Sequence, residues 1–267
     1  MGILNITPDS FSDGCELGEA GGNSFQVNLD KVLARAESMI QAGAAILDVG
    51  GESTRPGAED ISSDQELERV IPVLDSLRKH FDICLSVDTS SPEVMNEAIA
   101  AGANLVNDVR ALARDNAVEL MAASKVAVCL MHMQGQPRTM QKEYHYKNVV
   151  SDVCQFLAAR LEVCEKAGIT RERLLVDPGF GFGKSVAHNF ELLKNLEAFE
   201  PLGVPLLVGL SRKSMLGAVT DKAVDQRLAA SVAAATLALQ GGARIIRSHD
   251  VAATVDAIRV HCAYTQA

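Results

Sequence analysis

The chain has 267 residues, enough for two small domains or one large one. Asp and Glu (34) outnumber Lys and Arg (25), and the formal net charge of −9 argues against nucleic acid or an anionic membrane surface as a partner. Apolar residues are 48% and charged residues 22%, which excludes disorder; with no Trp and 4% aromatics, the core must be built from Ala, Leu, Val and Ile.

In chain order, short runs rich in Val, Ile and Leu alternate with longer amphipathic ones. Gly2–Leu4 predicts a strand that is short on its N-terminal side, because the chain begins inside it. A helix over Asn28–Gln41 and a strand over Ala45–Val49 follow, then a helix over Asp64–Phe81 and a strand over Ile83–Val87. A helix over Pro92–Ala101 leads to strands at Asn104–Val106 and Val126–Met131. Val149–Ala167 reads as a helix, Leu174–Val176 and Pro205–Val208 as strands, and Gln226–Gln240 as a mostly core-facing Ala-rich helix. Arg244–Arg247 is the last strand and Val251–Tyr264 the last helix. Pro92 marks a helix start, and Gly43, Gly102, Gly168 and Gly242 fall where helix-ending glycines belong. The strand runs lack strict polar alternation, which suits a parallel sheet covered on both faces.

Eight strands alternating with about eight helices, in a chain near the ~250 residues of such barrels and without a linker, predict one α/β domain over 1–267, a (β/α)8 TIM barrel. A doubly wound open sheet is the alternative, but no Gly-x-Gly-x-x-Gly follows the first strand. No apolar run reaches the ~18 residues that span a bilayer, and no secretory leader opens the sequence. The six cysteines, Cys15, Cys84, Cys129, Cys154, Cys164 and Cys262, form no CxxC and no zinc spacing with histidine. Cys84 and Cys129 lie in apolar runs and read as buried thiols of a reducing, cytoplasmic compartment.

In such a barrel, chemistry sits beyond the C-terminal strand ends. There the sequence places Asn5 to Gly14, Asp48 to Gly57, Asp88-Thr89-Ser90, Asn107-Asp108, His132 to Gly135, Asp177 to Lys184, Gly209 to Ser214, and Arg247 to Asp250. Asp108 and Asp250 suit helix caps equally well, and Arg55, Arg212 and Lys213 taken singly suit solvated surface charges. His132 reads as structural. Asp88 and Asp177 directly end apolar strands with no helix at once behind them. Phe180 and Phe182 alternate with glycine, as an aromatic wall beside a flexible loop would. Ser214 opens a helix whose N-terminus attracts anions. Two groupings result. Asp88, Asn107 and Asp177 suit a flat heterocycle with several N–H donors. Arg55, Arg247 and His249, with Asn5 as a neutral oxygen ligand, suit a diphosphate and its Mg²⁺.

Over nearly its whole length the chain resembles the dihydropteroate synthase family. The resemblance rests on Gly-Ile-Leu-Asn-Ile-Thr-Pro-Asp-Ser-Phe-Ser-Asp-Gly (2–14) and Gly-Gly-Glu-Ser-Thr-Arg-Pro-Gly (50–57). It extends to Val87-Asp88-Thr89, Asn107-Asp108-Val109, Met131 to Gly135, Asp177 to Lys184, Ser211 to Ser214 and Arg247 to Asp250. It implies condensation of 6-hydroxymethyl-7,8-dihydropterin diphosphate with 4-aminobenzoate, with Mg²⁺, in a homodimer. By motif position, Asp88, Asn107, Asp177 and Lys213 would hold the pterin, and Arg247 would stack on it and touch the phosphates. Asn5, Arg55 and His249 would bind diphosphate, with Asn5 reaching the metal. Thr54, Pro56, Phe182, Lys213, the Ser214 helix end and Phe11 would surround the aminobenzoate, with Phe11, Asp13 and Arg55 on loops that close over the site. Cys15, Asn148 and Ser248 depart from the family's pattern. A pterin-binding methyltransferase-type barrel would share Asp88, Asn107 and Asp177 without needing Arg55, Arg247 and His249. A non-catalytic paralogue would lack some of the site residues, and a Schiff-base aldolase would use Lys213 alone.

Overall fold

The computed structural model describes residues 1–7, 17–21, 24–53, 61–135 and 144–267. Eight parallel strands form the wall: β1 (Gly2–Asn5), β4 (Ile46–Gly50), β5 (Cys84–Asp88), β6 (Leu105–Asp108), β7 (Ala127–Met131), β8 (Leu174–Asp177), β9 (Leu207–Gly209) and β10 (Ile245–Arg247). The first six pair in the order β1-β4-β5-β6-β7-β8, and β9 pairs with β10. Parallel bridges Val176↔Leu206 and Gly2↔Ser248 carry the ladder from β8 to β9 and from β10 back to β1. The wall therefore runs full circle. An antiparallel hairpin, β2 (Gly18–Gly21) with β3 (Ser24–Val27), is inserted after β1, and the sequence reading had no place for it.

Helices fill every crossover: α1 (Leu29–Gln41), α2 (Ser63–His80), α3 (Pro92–Ala100), α4 (Ala117–Ala123), α5 (Val149–Lys166), α6 (Val186–Lys194), α7 (Ser214–Thr220) with α8 (Leu228–Gln240), and α9 (Val251–Gln266). Their starts are locally encoded. Asn28 caps Lys31, Ser62 and Gln65 form a capping box, and Ser91 caps α3 with Pro92 in its first turn. Asn148 accepts from the Ser151 N–H, so the departing residue still caps α5. Gly43, Gly102, Gly168 and Gly242 follow their helices with φ of 94–98°, a left-handed turn that other residues resist. The Ala-rich α8 buries Ser231, Ala234, Ala235 and Ala238 and packs Ala230 and Leu239 against the core, but Leu228 and Leu237 are exposed, contrary to the expected mostly core-facing helix.

The strands are not uniformly apolar. Leu85, Val87, Val106, Val128, Leu174 and Val176 pack outward with the helices in one large core. Leu105, Cys129 and Leu207 form a separate small cluster inside the barrel, with Leu175 and Ile245 against it. Toward the strand ends the inward positions turn polar, with Asp48, Ser86, Asp88, Asn107, Asp177 and Arg247. Cys129 is buried there, with its thiol pushed up by burial, whereas Cys84 is only half-buried, because it begins β5 at the barrel floor. Among the described residues, no helix is long and apolar enough to cross a membrane.

Candidate active site

A cavity at the C-terminal mouth of the barrel is lined by Asp88, Asn107, Asp177, Phe182, Lys213, Arg247 and His249, together with Ile3, Val109, Met131, Gly209 and Ser211. Seven residues expected at the site thus meet in one place. Asn5 ends β1 beside it: a Cβ on Gly50 would lie 3.7 Å from the Asn5 Oδ1 and 3.8 Å from the Asp88 Oδ2. Ser214 starts α7 as expected, but it is exposed and does not line the cavity, because the helix points it outward. Phe11, Thr54, Arg55 and Pro56 lie outside the described residues, as do Asp13 and Cys15.

One wall is an ion cluster. Arg247 donates from Nε to Asp48 at 2.5 Å and from Nη2 to Asp88 at 2.7 Å. Asp48 is fully buried; it also accepts from the Ser86 hydroxyl at 2.5 Å and from the Asn107 amide at 3.4 Å. Two carboxylates share one guanidinium, so the cluster carries an excess of negative charge. Burial, only partly offset by Arg247, raises the Asp88 pKa to about 7. The buried carboxylates hold Arg247 at the cavity wall, since an unpaired charge is costly there. Asp48 and Ser86 were not among the expected site residues.

The other wall is built on backbone. Asp177 accepts the Gly179 N–H at 2.7 Å, and burial raises its pKa. Gly181 donates to Asn189 Oδ1 at 2.7 Å, and Tyr146 donates to the Gly183 carbonyl at 2.8 Å. The ammonium of Lys213 donates to the Phe180 carbonyl and sits 4.6 Å from the centre of the Phe182 ring. Burial lowers its pKa to about 8, with Asp177 opposing. The loop from Gly179 to Gly183 is therefore pinned rather than flexible. Only Phe182 lines the cavity, because Phe180 is fully buried in the core.

Neighbouring groups orient the cations. Ser211 accepts from the His249 N–H at 3.1 Å and meets its Nδ1 at 3.0 Å, a role the sequence reading missed. Arg212 holds Asp250 through two bonds of 2.9 and 2.6 Å. Asp250 is thus not a side-chain helix cap, and Arg212 is no solvated charge. Asp108 accepts from Ser90 and from the N–H groups of Arg110 and Leu112, closing a turn in which Ala111 and Leu112 have φ of 52° and 55°. Ser248 accepts from Thr254 at 2.8 Å and the Asp250 N–H at 3.1 Å, which gives the small residue there a structural use. At the base of the loop after β4, Arg69 donates to the Gly51 carbonyl at 2.9 Å and Arg110 pairs with Glu52 at 3.2 Å. His132 is buried, with its ring edge-on to Phe156 at 4.9 Å between centres and its Nδ1 2.9 Å from the Lys184 nitrogen.

The fold and cavity define a barrel enzyme whose mouth is suited to a flat, hydrogen-bonding heterocycle carrying an anionic group. A family model described as "pterin binding enzyme" matches residues 1–249. The dihydropteroate synthase of Haemophilus influenzae is 54% identical over 260 residues, covering 97% of this chain and 91% of that protein. Among solved structures, a Yersinia pestis dihydropteroate synthase with a sulfonamide drug complex superposes with a TM-score of 0.93 at 48% identity, covering 100% of this chain and 94% of that one. A Burkholderia cenocepacia dihydropteroate synthase complexed with 7,8-dihydropteroate gives 0.86 at 47%, covering 99% and 90%. The chain belongs to the pterin-binding enzymes and, within them, to the dihydropteroate synthases.

Proposed function

We propose that this folate-biosynthesis transferase joins 6-hydroxymethyl-7,8-dihydropterin diphosphate to 4-aminobenzoate in the cavity between Asp88, Asn107, Asp177, Lys213 and Arg247. The carrying observation is that pterin-type acceptors and diphosphate-type cations line one opening. The bond from the pterin methylene to the diphosphate oxygen breaks first, with its electron pair leaving on pyrophosphate. The arylamine nitrogen then attacks the methylene and releases a proton to solvent. A neutral arylamine is a weak nucleophile, so prior cleavage helps it. Asp88 and Asp177 stabilise the positive charge that develops on the pterin, while Arg247 and His249 stabilise the departing anion. Asn107 and Lys213 hold the ring, and Phe182 and the α7 end border the aminobenzoate.

Among the described residues, no group of three or more His, Cys, Asp or Glu gathers as a metal cage. Asn5 Oδ1, close to Asp88 at the strand ends, offers a single neutral oxygen. That donor set fits Mg²⁺ bound largely through phosphate oxygens, with Asn5 as its protein ligand. Such an ion would neutralise leaving-group charge. Arg55, Thr54, Pro56 and Phe11 complete the diphosphate and aminobenzoate contacts in this reading. The chain works as one cytoplasmic domain over 1–267. It pairs as a homodimer through the side of the Ala-rich α8, where Leu228 and Leu237 are 44% and 52% exposed.

The test is release of pyrophosphate. It should require both substrates and a divalent ion. Release that ignores aminobenzoate, or none from the intact protein, overturns the reading. Preferential binding of methyltetrahydrofolate would favour a methyltransferase-type barrel instead.

A further inference from the structure

Lys184 is 2% exposed, unusual for a lysine. Among the described residues its ammonium meets no carboxylate in hydrogen-bond range. It donates to the carbonyls of Gly179 at 2.8 Å, Phe182 at 3.1 Å and His132 at 3.4 Å, and lies 2.9 Å from His132 Nδ1. Burying an ammonium among neutral acceptors is costly, and burial pushes its pKa well down. Burial and the facing lysine also hold the His132 pKa at about 3, so the ring is neutral; an ammonium can only donate, which assigns Nδ1 as the bare, accepting nitrogen. An apolar side chain would fill this space without that cost.

What the ammonium grips explains why it is there. Gly179 and Phe182 flank the peptide of Phe180, whose carbonyl receives Lys213. Phe182 also presents its ring to the same Lys213 nitrogen. Gly179 has φ of 69°, and a Cβ there would lie 1.9 Å from the His132 carbonyl, so the loop lies flush against the end of β7. Two lysines thus hold three carbonyls of one loop, the buried Lys184 those of Gly179 and Phe182 and the cavity-lining Lys213 that of Phe180 between them.

We propose that Lys184, with His132 as its acceptor, is a positioning residue that fixes the Gly179–Gly183 loop and thereby sets the place of Lys213 and Phe182 in the active site. The proposal rests on the pterin and aminobenzoate reading only for its kinetic arm. Replacing Lys184 with Met removes the grip and keeps the bulk.

Lys184→Met should fold with an unchanged or higher melting temperature, since a buried charge is gone. Its kcat should fall about tenfold or more, because small misplacements of reacting groups are costly. The KM for aminobenzoate should rise with it. Lys184→Arg, which keeps the donors, should recover part of the loss. Independently of turnover, NMR of ¹³C-lysine-labelled protein should show Lys213 titrating higher than in the parent, toward an ordinary lysine, as the loop relaxes. A well-folded Lys184→Met with kinetics within about twofold of the parent and an unmoved Lys213 titration overturns the proposal. If Lys184→Met does not fold, the same readouts on His132→Asn, which changes the acceptor alone, decide it by the same criteria. If the parent releases no pyrophosphate, the function reading has failed, and the Lys213 titration alone decides the loop proposal.

Discussion

The two walls of the cavity reach order by different routes. On the β4, β5, β6 and β10 side, the side chains satisfy one another: Arg247 binds Asp48 and Asp88, and Asn107 reaches Asp48. On the β8 and β9 side, they bind loop backbone: Lys213 and Lys184 grip carbonyls between Gly179 and Phe182. On the first wall one Asp88 oxygen is committed to Arg247; on the second the loop carbonyls are held by lysines. Side-chain pairing and backbone pinning thus meet across one opening, and each can be broken separately.

The largest expected effect falls on the first wall. Arg247→Ala strands Asp48 as a buried carboxylate without a cation and should cost about 3–5 kcal/mol of stability, read by urea denaturation. A loss under about 1 kcal/mol would show that the cluster is not held by its charges. On the second wall, Lys213→Ala should leave stability nearly intact but lower kcat/KM for the pterin substrate by roughly 10–100-fold, or about 1.4–2.7 kcal/mol. Unchanged kinetics would remove Lys213 from the site.

pH separates the walls. The Asp88 pKa is raised to about 7, so its carboxylate is lost as pH falls through neutrality. The Lys213 pKa is lowered to about 8, so its ammonium is lost as pH rises past that value. Pterin kcat/KM should therefore peak in a narrow window between them, and a flat profile from about pH 6 to 9 would refute both assignments. Ser211→Ala, which removes one hydrogen-bond partner of His249, should raise the KM for the diphosphate substrate a few-fold, about 1 kcal/mol, with aminobenzoate affected less. The smallest effect belongs to Ser214→Ala. It should raise the KM for aminobenzoate by about twofold and leave that for the pterin alone; equal changes in both would detach the α7 end from that pocket.

Much of this was legible in the sequence. Each of the eight wall strands appeared within a residue or two, since Val, Ile and Leu runs between capped helices admit little else. The strand ends were placed too early, however: Asp88, Asn107 and Asp177 belong to the strands themselves. The missed signal was alternation. Cys84-Leu85-Ser86-Val87-Asp88 already reads inward, outward, inward, and the same period marks Asp48 as inward-facing. The pairing of Arg247 with Asp48 was hidden because 199 residues separate them, and only barrel closure brings them together. The hairpin after β1 was missed because Gly18–Gly21 and Ser24–Val27 show little apolar contrast.

The closure itself has a consequence. Six strands share continuous ladders, but the β9–β10 pair joins them through a single bridged residue pair on each side, Val176↔Leu206 and Gly2↔Ser248. Gly209 and Arg247 end those two strands, and Ser211, Lys213 and His249 follow directly after them. The barrel is thus a six-stave wall with a two-stave door, and the door carries most of the cations. Its seams should be where amide exchange first breaches the wall, and a small tilt there would carry Arg247 and His249 across the mouth together.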